Sequence, residues 1–278
     1  MTPFRRRLVP LALAGFTVLT ATSCSSRPTY PKAQLAATLQ TLLKQERVNA
    51  TVRLVDHTLA VQSDYPDALV QKGAQIGIGP AFDEVTRKVL INVHRVLLSS
   101  DAQVNFYVLL ISDPKTPGVY ITMVRYMDDV RKASANMLAD TEMFSRTLFD
   151  LNVVGPVPLT IEQYVPRDIH LEEFLSWQLA RRIQRKLTEE FQDAGIAQVG
   201  RCGGEFRDGE FAFTLNIAPA SESPLDDETL RKVFLASTDV VASVLSSYRF
   251  ESFDHIRLIH PPTGRNLVLP KGRLPLFR

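Results

Sequence analysis

Apolar positions recur along the chain at two periods, and the switches between those periods outline its elements. In residues 31–46, Leu35, Leu39, Leu42 and Leu43 fall on one side of a helix, and Pro31 suits its first turn. Residues 48–61 change to alternation, with Val48, Ala50, Val52 and Leu54, a break at Asp56 and His57, then Leu59 and Val61. That pattern predicts a β-hairpin. Residues 64–81 hold Pro66, Gly73, Gly77, Gly79 and Pro80 and are expected to form a loop. A second helix is expected over 82–98, with Val85, Val89, Val93 and Val96 on one side. The runs "QVNFYVLLIS" and "VYITMVRY", joined by "DPKTPG", read as paired strands.

A similar order appears in the second half. Residues 169–194 read as a long helix whose stripe is Leu171, Leu175, Leu179, Ile183, Leu187 and Phe191, with Asp168 as its N-cap and Gly195 as its stop. "GGEFRDGEFAFTL" predicts a hairpin turning at Arg207, Asp208 and Gly209. A loop with Pro219 and Pro224 follows, then a helix in "LDDETLRKVFLASTDVVASVL" and a last hairpin turned by residues 261–264. "VDHTLAV" aligns with "RDGEFAF", and "RKVLI" with "RKVFL", in the same order along both halves. These identities suggest an internal repeat.

The expected fold is therefore α+β, built as two tandem helix-hairpin-helix-hairpin units with antiparallel sheets covered by helices. The units span 31–127 and 167–278. Residues 128–166 are expected to form a helical and extended connector, with a helix over 141–151 and prolines in "NVVGPVPLTIEQYVP". The two units either join edges into one eight-stranded sheet, which would hide strand edges, or remain separate lobes.

The first 23 residues follow a different pattern. Arg5, Arg6 and Arg7 precede an apolar stretch of 13 residues, 8–20, interrupted by Pro10 and Gly15. A spanning helix needs about 20 apolar residues, so this run reads as a secretory signal peptide. The segment Ala21, Thr22, Ser23 and Cys24 resembles the lipobox of bacterial lipoproteins, although that class most often has Leu where Ala21 stands. The resemblance implies cleavage before Cys24, diacylation of its thiol, and further acylation by palmitate or a similar chain. Ala21 and Ser23 also satisfy the small-residue rule of ordinary signal cleavage, and Arg5-Arg6 resembles a twin-arginine signal, so plain secretion and folded export stay open. With Cys24 acylated, residues 24–30 form a short tether at a membrane. Ser25 after the cysteine, by the same resemblance, favours the outer membrane where a bacterium has two.

Charge and composition narrow the function class. Formal net charge is +2, and three positive charges lie in Arg5, Arg6 and Arg7, so the chain after residue 23 is near −1. A near-neutral body argues against nucleic-acid binding, which relies on a surplus of Lys and Arg. Cys202 is the second of only two cysteines, which excludes a disulfide framework within the body.

Candidate chemistry is sparse. His57, His94, His170, His255 and His260 make no metal pair at helical spacing. His255 and His260 are expected on opposite faces of a strand, and His94 reads as a partly buried structural histidine. Cys202, in "GRCGGE", reads as a small apolar strand residue or as a thiol activated by Arg201. "GAQIGIGP" lacks a Walker lysine, and no G-x-S-x-G elbow is present. Arg181, Arg182, Arg185 and Lys186 either face anionic lipid or pair with Glu189 and Glu190.

The expected function is a lipid-anchored, non-enzymatic interaction or assembly subunit of the bacterial envelope. It would meet the membrane through its lipid and a protein partner through its body, with no nucleic acid, cofactor or metal implied. The competing expectation is an enzyme or small-ligand-binding protein with a site between the two units, using Cys202 or His255.

Overall fold

The computed structural model describes residues 29–73, 75–153, 160–220 and 225–274. Cys24 and the leader lie outside them. The first half runs α1 (Leu35–Gln45), β1 (Ala50–Val55), β2 (Thr58–Asp64), β3 (Leu69–Lys72), β4 (Gln75–Ile78), α2 (Phe82–Leu98), β5 (Phe106–Ser112) and β6 (Val119–Tyr126). Then come α3 (Met127–Ser134), α4 (Asp140–Arg146), β7 (Leu148–Val153) and α5 (Ile161–Tyr164). The second half runs α6 (Leu171–Leu187), β8 (Ala197–Val199), β9 (Gly203–Arg207), β10 (Glu210–Thr214), β11 (Ile217–Pro219), α7 (Asp227–Tyr248), β12 (His255–His260) and β13 (Arg265–Pro270).

The expectation of two tandem helix-hairpin-helix-hairpin units with antiparallel sheets is overturned. Four sheets are formed by the described residues: β1-β2-β5-β6-β7, β13-β12-β10-β9, and the ribbons β11-β8 and β3-β4. Both larger sheets are mixed, because β2 pairs with β5 in parallel and β10 pairs with β12 in parallel. The hydrophobic period shows which residues are extended but not which strand lies alongside. The helices α2 and α7 carry the chain back across their sheets, so the strands they join run the same way. The predicted loop over 64–81 contains the β3–β4 ribbon.

The connector also departs from expectation. The helix predicted over 141–151 stops at Arg146, and residues 148–153 become β7, the fifth strand of the first sheet. Leu148, Asp150 and Asn152 turn to one face, and Phe149, Leu151 and Val153 to the other and more exposed one, a period of two. Farther on, Thr160 and Gln163 make a reciprocal capping box. The Gln163 backbone N–H donates to Thr160 Oγ1 (3.4 Å), and the Thr160 N–H donates to Gln163 Oε1 (3.0 Å).

Three layers of core explain the stacking. The buried residues of α1 and α2, such as Leu39 and Val89, pack on Tyr107, Leu109 and Ile111 of β5. The alternate residues Phe106, Val108 and Leu110 pack with Ile161, Val165, Ile169 and Phe174. Leu175, Leu179 and Ile183 of α6 share a third cluster with α7 and with Phe211, Phe213, Ile256 and Leu258 of the second sheet. The order is helices, five-stranded sheet, α6, four-stranded sheet. Strands β5 and β6 are covered on both faces, which is why they read as unbroken apolar runs.

Local turn chemistry follows the sequence. Asp208 (φ 50°) and Gly209 (φ 77°) make the two-residue turn of the β9–β10 hairpin, where a left-handed pair matches the strand twist. Asp226 caps α7 by accepting the Thr229 backbone N–H at 2.6 Å. Asp168, however, is not the cap of α6: the helix starts at Leu171 after His170.

Candidate functional site

A cleft of about 550 Å³ opens between the two halves. Its floor is the second face of the five-stranded sheet, with Val108, Val124 and Leu148. One wall is α6, through Trp177, Ala180 and Arg181. The strap at 164–169 and residues 201–204 close the other sides.

Each wall has a local cause. Asp168 anchors the strap by accepting from the Thr58 hydroxyl (2.5 Å) and the His57 backbone N–H (3.3 Å). The Ile169 N–H donates to the same Thr58 oxygen at 3.0 Å. Gly204 sets the approach of β9 to α6, since a Cβ there would lie 2.3 Å from the Ser176 carbonyl oxygen. On the floor, Asn152 Nδ2 donates to Thr122 Oγ1 at 2.9 Å.

The charges lining the cleft are mostly paired. Arg181 pairs with Asp150. Arg167 makes a two-pronged contact with Glu173 at 2.6 and 2.8 Å. Arg201 is exposed at this cleft and has no acidic partner among the described residues. It stands near enough to Arg181 for the two charges to repel.

Cys202 also lines the cleft but is only 4% exposed. Burial pushes its thiol up to about 11, against a smaller opposing effect from the Asn216 backbone. The Arg201 charge beside it in sequence does not activate it. A rise of about two units lowers the thiolate fraction at neutral pH by roughly 100-fold. In the folded Cys24→Ser chain, iodoacetamide should therefore label Cys202 at least ~100-fold more slowly than after denaturation. Equal rates in the two states would show an accessible thiol.

No known family or curated protein is matched by this chain.

The histidines are held elsewhere. His255 Nε2 donates to Glu210 Oε2 (2.5 Å) on the open face of the four-stranded sheet, where Arg257 also donates to Glu210 at 2.7 Å. The Arg257 guanidinium holds the Glu210 carboxyl below its usual range, against the opposing effect of burial, and His255 adds a smaller lowering effect. His260, on the opposite face as expected, is buried and bonds the Ile217 carbonyl oxygen (2.9 Å) and the Thr263 hydroxyl (2.8 Å). His94 Nε2 meets the Tyr107 hydroxyl at 2.8 Å. Burial first, then the Arg125 charge, pushes its imidazole down to about 4, so it stays neutral near pH 7. His57 Nδ1 donates to the Gln103 carbonyl oxygen at 2.7 Å.

Cys202 and His255 are thus not brought together: one lines the cleft and the other lies on the open sheet. Among the described residues no histidine lines the cleft, and no group of three His, Cys, Asp or Glu could hold a metal ion. The basic cluster on α6 is divided among partners. Lys186 pairs with Glu190 (2.6 Å), Arg185 approaches Glu189 (3.8 Å), and Arg182 donates to Ser145 Oγ (3.0 Å). Reading the sequence alone missed Trp177, Asp150 and the role of Arg201. The one available signal was a lone tryptophan lying off the Leu stripe of a long helix.

Proposed function

We propose that this protein is a lipid-anchored bacterial envelope lipoprotein whose body serves as a non-enzymatic interaction or assembly subunit at a membrane surface. The observation that supports this most is where the body begins. The Tyr30 N–H donates to the Ser99 carbonyl oxygen (3.2 Å), and the Lys32 N–H donates to Asp101 Oδ1 (2.5 Å). Tyr30 also bridges to Ser100. From Cys24 to Tyr30 the chain reaches at most roughly 20 Å, whatever path it takes. A lipid on Cys24 would therefore hold the body close to the headgroups. Two or three acyl chains give lasting attachment where one does not, because each buried CH₂ contributes about 0.8 kcal/mol. No helix of the described residues is long and apolar enough to cross a membrane.

The neutral, buried Cys202 and the separation of the histidines from the cleft favour binding over covalent catalysis. Fractionation tests the anchor. The native chain should sediment with membranes, and Cys24→Ser should move to the supernatant of a carbonate wash. Retention of Cys24→Ser in the membrane fraction would refute the proposal.

A second reading, a small-ligand-binding body, is favoured by the cleft between the halves.

A further inference from the structure

We infer that the cleft between the two halves binds a small aromatic carboxylate, with Arg201 as its charge partner and Trp177 as its stacking wall. The inference rests on the ligand-binding reading of the cleft and is independent of the lipid anchor.

Volume comes first. About 550 Å³ lies within the range of small-molecule sites and is ample for two fused or linked rings. The floor is apolar where Val108, Val124 and Leu148 face it, and Trp177 stands over it on α6. Trp177 is 36% exposed on a helix whose neighbours Phe174, Leu175 and Gln178 are buried. A half-open indole above an apolar floor suits a flat ring, since offset or edge contacts add to the area removed from water.

Open hydrogen-bond donors then select the sign. Arg167 is matched by Glu173 and Arg181 by Asp150, and Asp168 is engaged by the Thr58 hydroxyl and the His57 N–H. Among the described residues Arg201 and Asp168 have no ion-pair partner, so the lining is neutral overall. Asp168 is held by the strap's neutral donors, whereas the exposed Arg201 guanidinium keeps open donors at the cleft, near the charge of Arg181. A single negative group on the ligand would balance Arg201 and relieve that repulsion. A planar carboxylate fits a guanidinium through two parallel N–H···O bonds. A cationic ligand would offer the open Arg201 donors no acceptor and would meet its charge. Thr122 and Asn152 add polar atoms on the same floor, enough to orient a ligand.

Trp177 is the only tryptophan in the chain, so tryptophan emission reports on the cleft alone. The full chain in detergent micelles is titrated with biphenyl-4-carboxylate and, separately, with neutral biphenyl-4-carboxamide, with empty micelles as the blank. The carboxylate is expected to give saturable quenching and binding heat at micromolar concentration. The carboxamide should bind at least tenfold more weakly. Arg201→Ala should weaken carboxylate binding about tenfold, leave the carboxamide unchanged, and keep the circular-dichroism spectrum and melting temperature of the native chain. Trp177→Leu should weaken both ligands, read by calorimetry. Cys24→Ser should bind as the native chain does, so failure of the anchor and failure of this site register separately. Equal binding of the two ligands, indifference to Arg201→Ala, or no saturable signal up to millimolar carboxylate would each overturn the inference.

Discussion

Arg146→Ala should destabilise the protein by about 3–5 kcal/mol, the loss typical of a buried ion pair deprived of one member. Arg146 and Asp129 meet at 2.9 Å, with side chains only 8% and 5% exposed. The same guanidinium reaches Glu142 at 2.8 Å and lies 4.6 Å from the centre of the Tyr248 ring. The Tyr248 hydroxyl donates to Asp129 Oδ2 at 3.0 Å and accepts from Gln178 Nε2 at 3.0 Å. Gln178 Nε2 also donates to the Arg146 carbonyl oxygen at 2.6 Å. The network thus ties α3 and α4 to α6 and α7. Removing Arg146 strands a carboxylate that burial already pushes upward.

The sign of the pH dependence follows. In Arg146→Ala, the Asp129 carboxyl has its folded-state pKa raised above the unfolded value. The destabilisation is then fully present above the folded pKa and shrinks as pH falls towards the unfolded one, near 4. Urea unfolding of the native chain and the variant at several pH values measures both effects. A loss below about 1 kcal/mol at pH 7 would mean the pair is solvated. In a double-mutant cycle, Asp129→Asn should recover part of the loss, because it removes the stranded charge.

Phe174→Ala should cost a similar amount, about 3–5 kcal/mol, through lost burial plus the cavity left behind. Phe174 is 0% exposed. Its ring centre is 5.3 Å from that of Phe106 and 6.4 Å from that of Tyr126. Phe106 belongs to the first sheet and Phe174 to α6, so this cluster is an apolar seam between the halves. Phe174→Leu should cost less than about 1.5 kcal/mol, because it retains most of the volume. If Phe174→Ala lowers the denaturant midpoint no more than Phe174→Leu, the seam does not stabilise the fold as described. A transition that splits in two would show the seam coupling the halves.

Much of the secondary structure was legible from periodicity. α2 occupies 82–98 and β6 occupies 119–126 as read from the chain, and the turn at Asp208 and Gly209 lies where their backbone preferences put it. Each of these signals is local: a helix stripe, an alternation or a left-handed pair needs no partner to be visible. β7 was misread as helix because its apolar and polar residues make sense only beside β6, which supplies the pairing. Asp168 was misread as a cap because the hydroxyl it engages, that of Thr58, lies 110 residues away.

The long helix α6 shows the same division. Its stripe from Leu175 to Phe191 could be read directly, and it does bury against the second sheet. Its other buried face, carrying Phe174 and Gln178, could not, since Gln178 is polar and is buried only because Tyr248 and the Arg146 carbonyl oxygen satisfy its amide nitrogen. A helix between two sheets needs two covered faces, and one apolar period reports only one of them.

The sequence by itself determined where most of the helices and several of the strands run, the near-neutral charge of the body, and the lipobox-like Cys24 on which the anchor proposal depends. Only the tertiary structure decided that the sheets are mixed, that Cys202 is a neutral buried thiol, and that Trp177, Arg181 and Arg201 share one cleft. The reason is range. Periodicity and turn chemistry act between residues a few positions apart, whereas burial, charge pairing and pKa depend on neighbours brought together from distant parts of the chain.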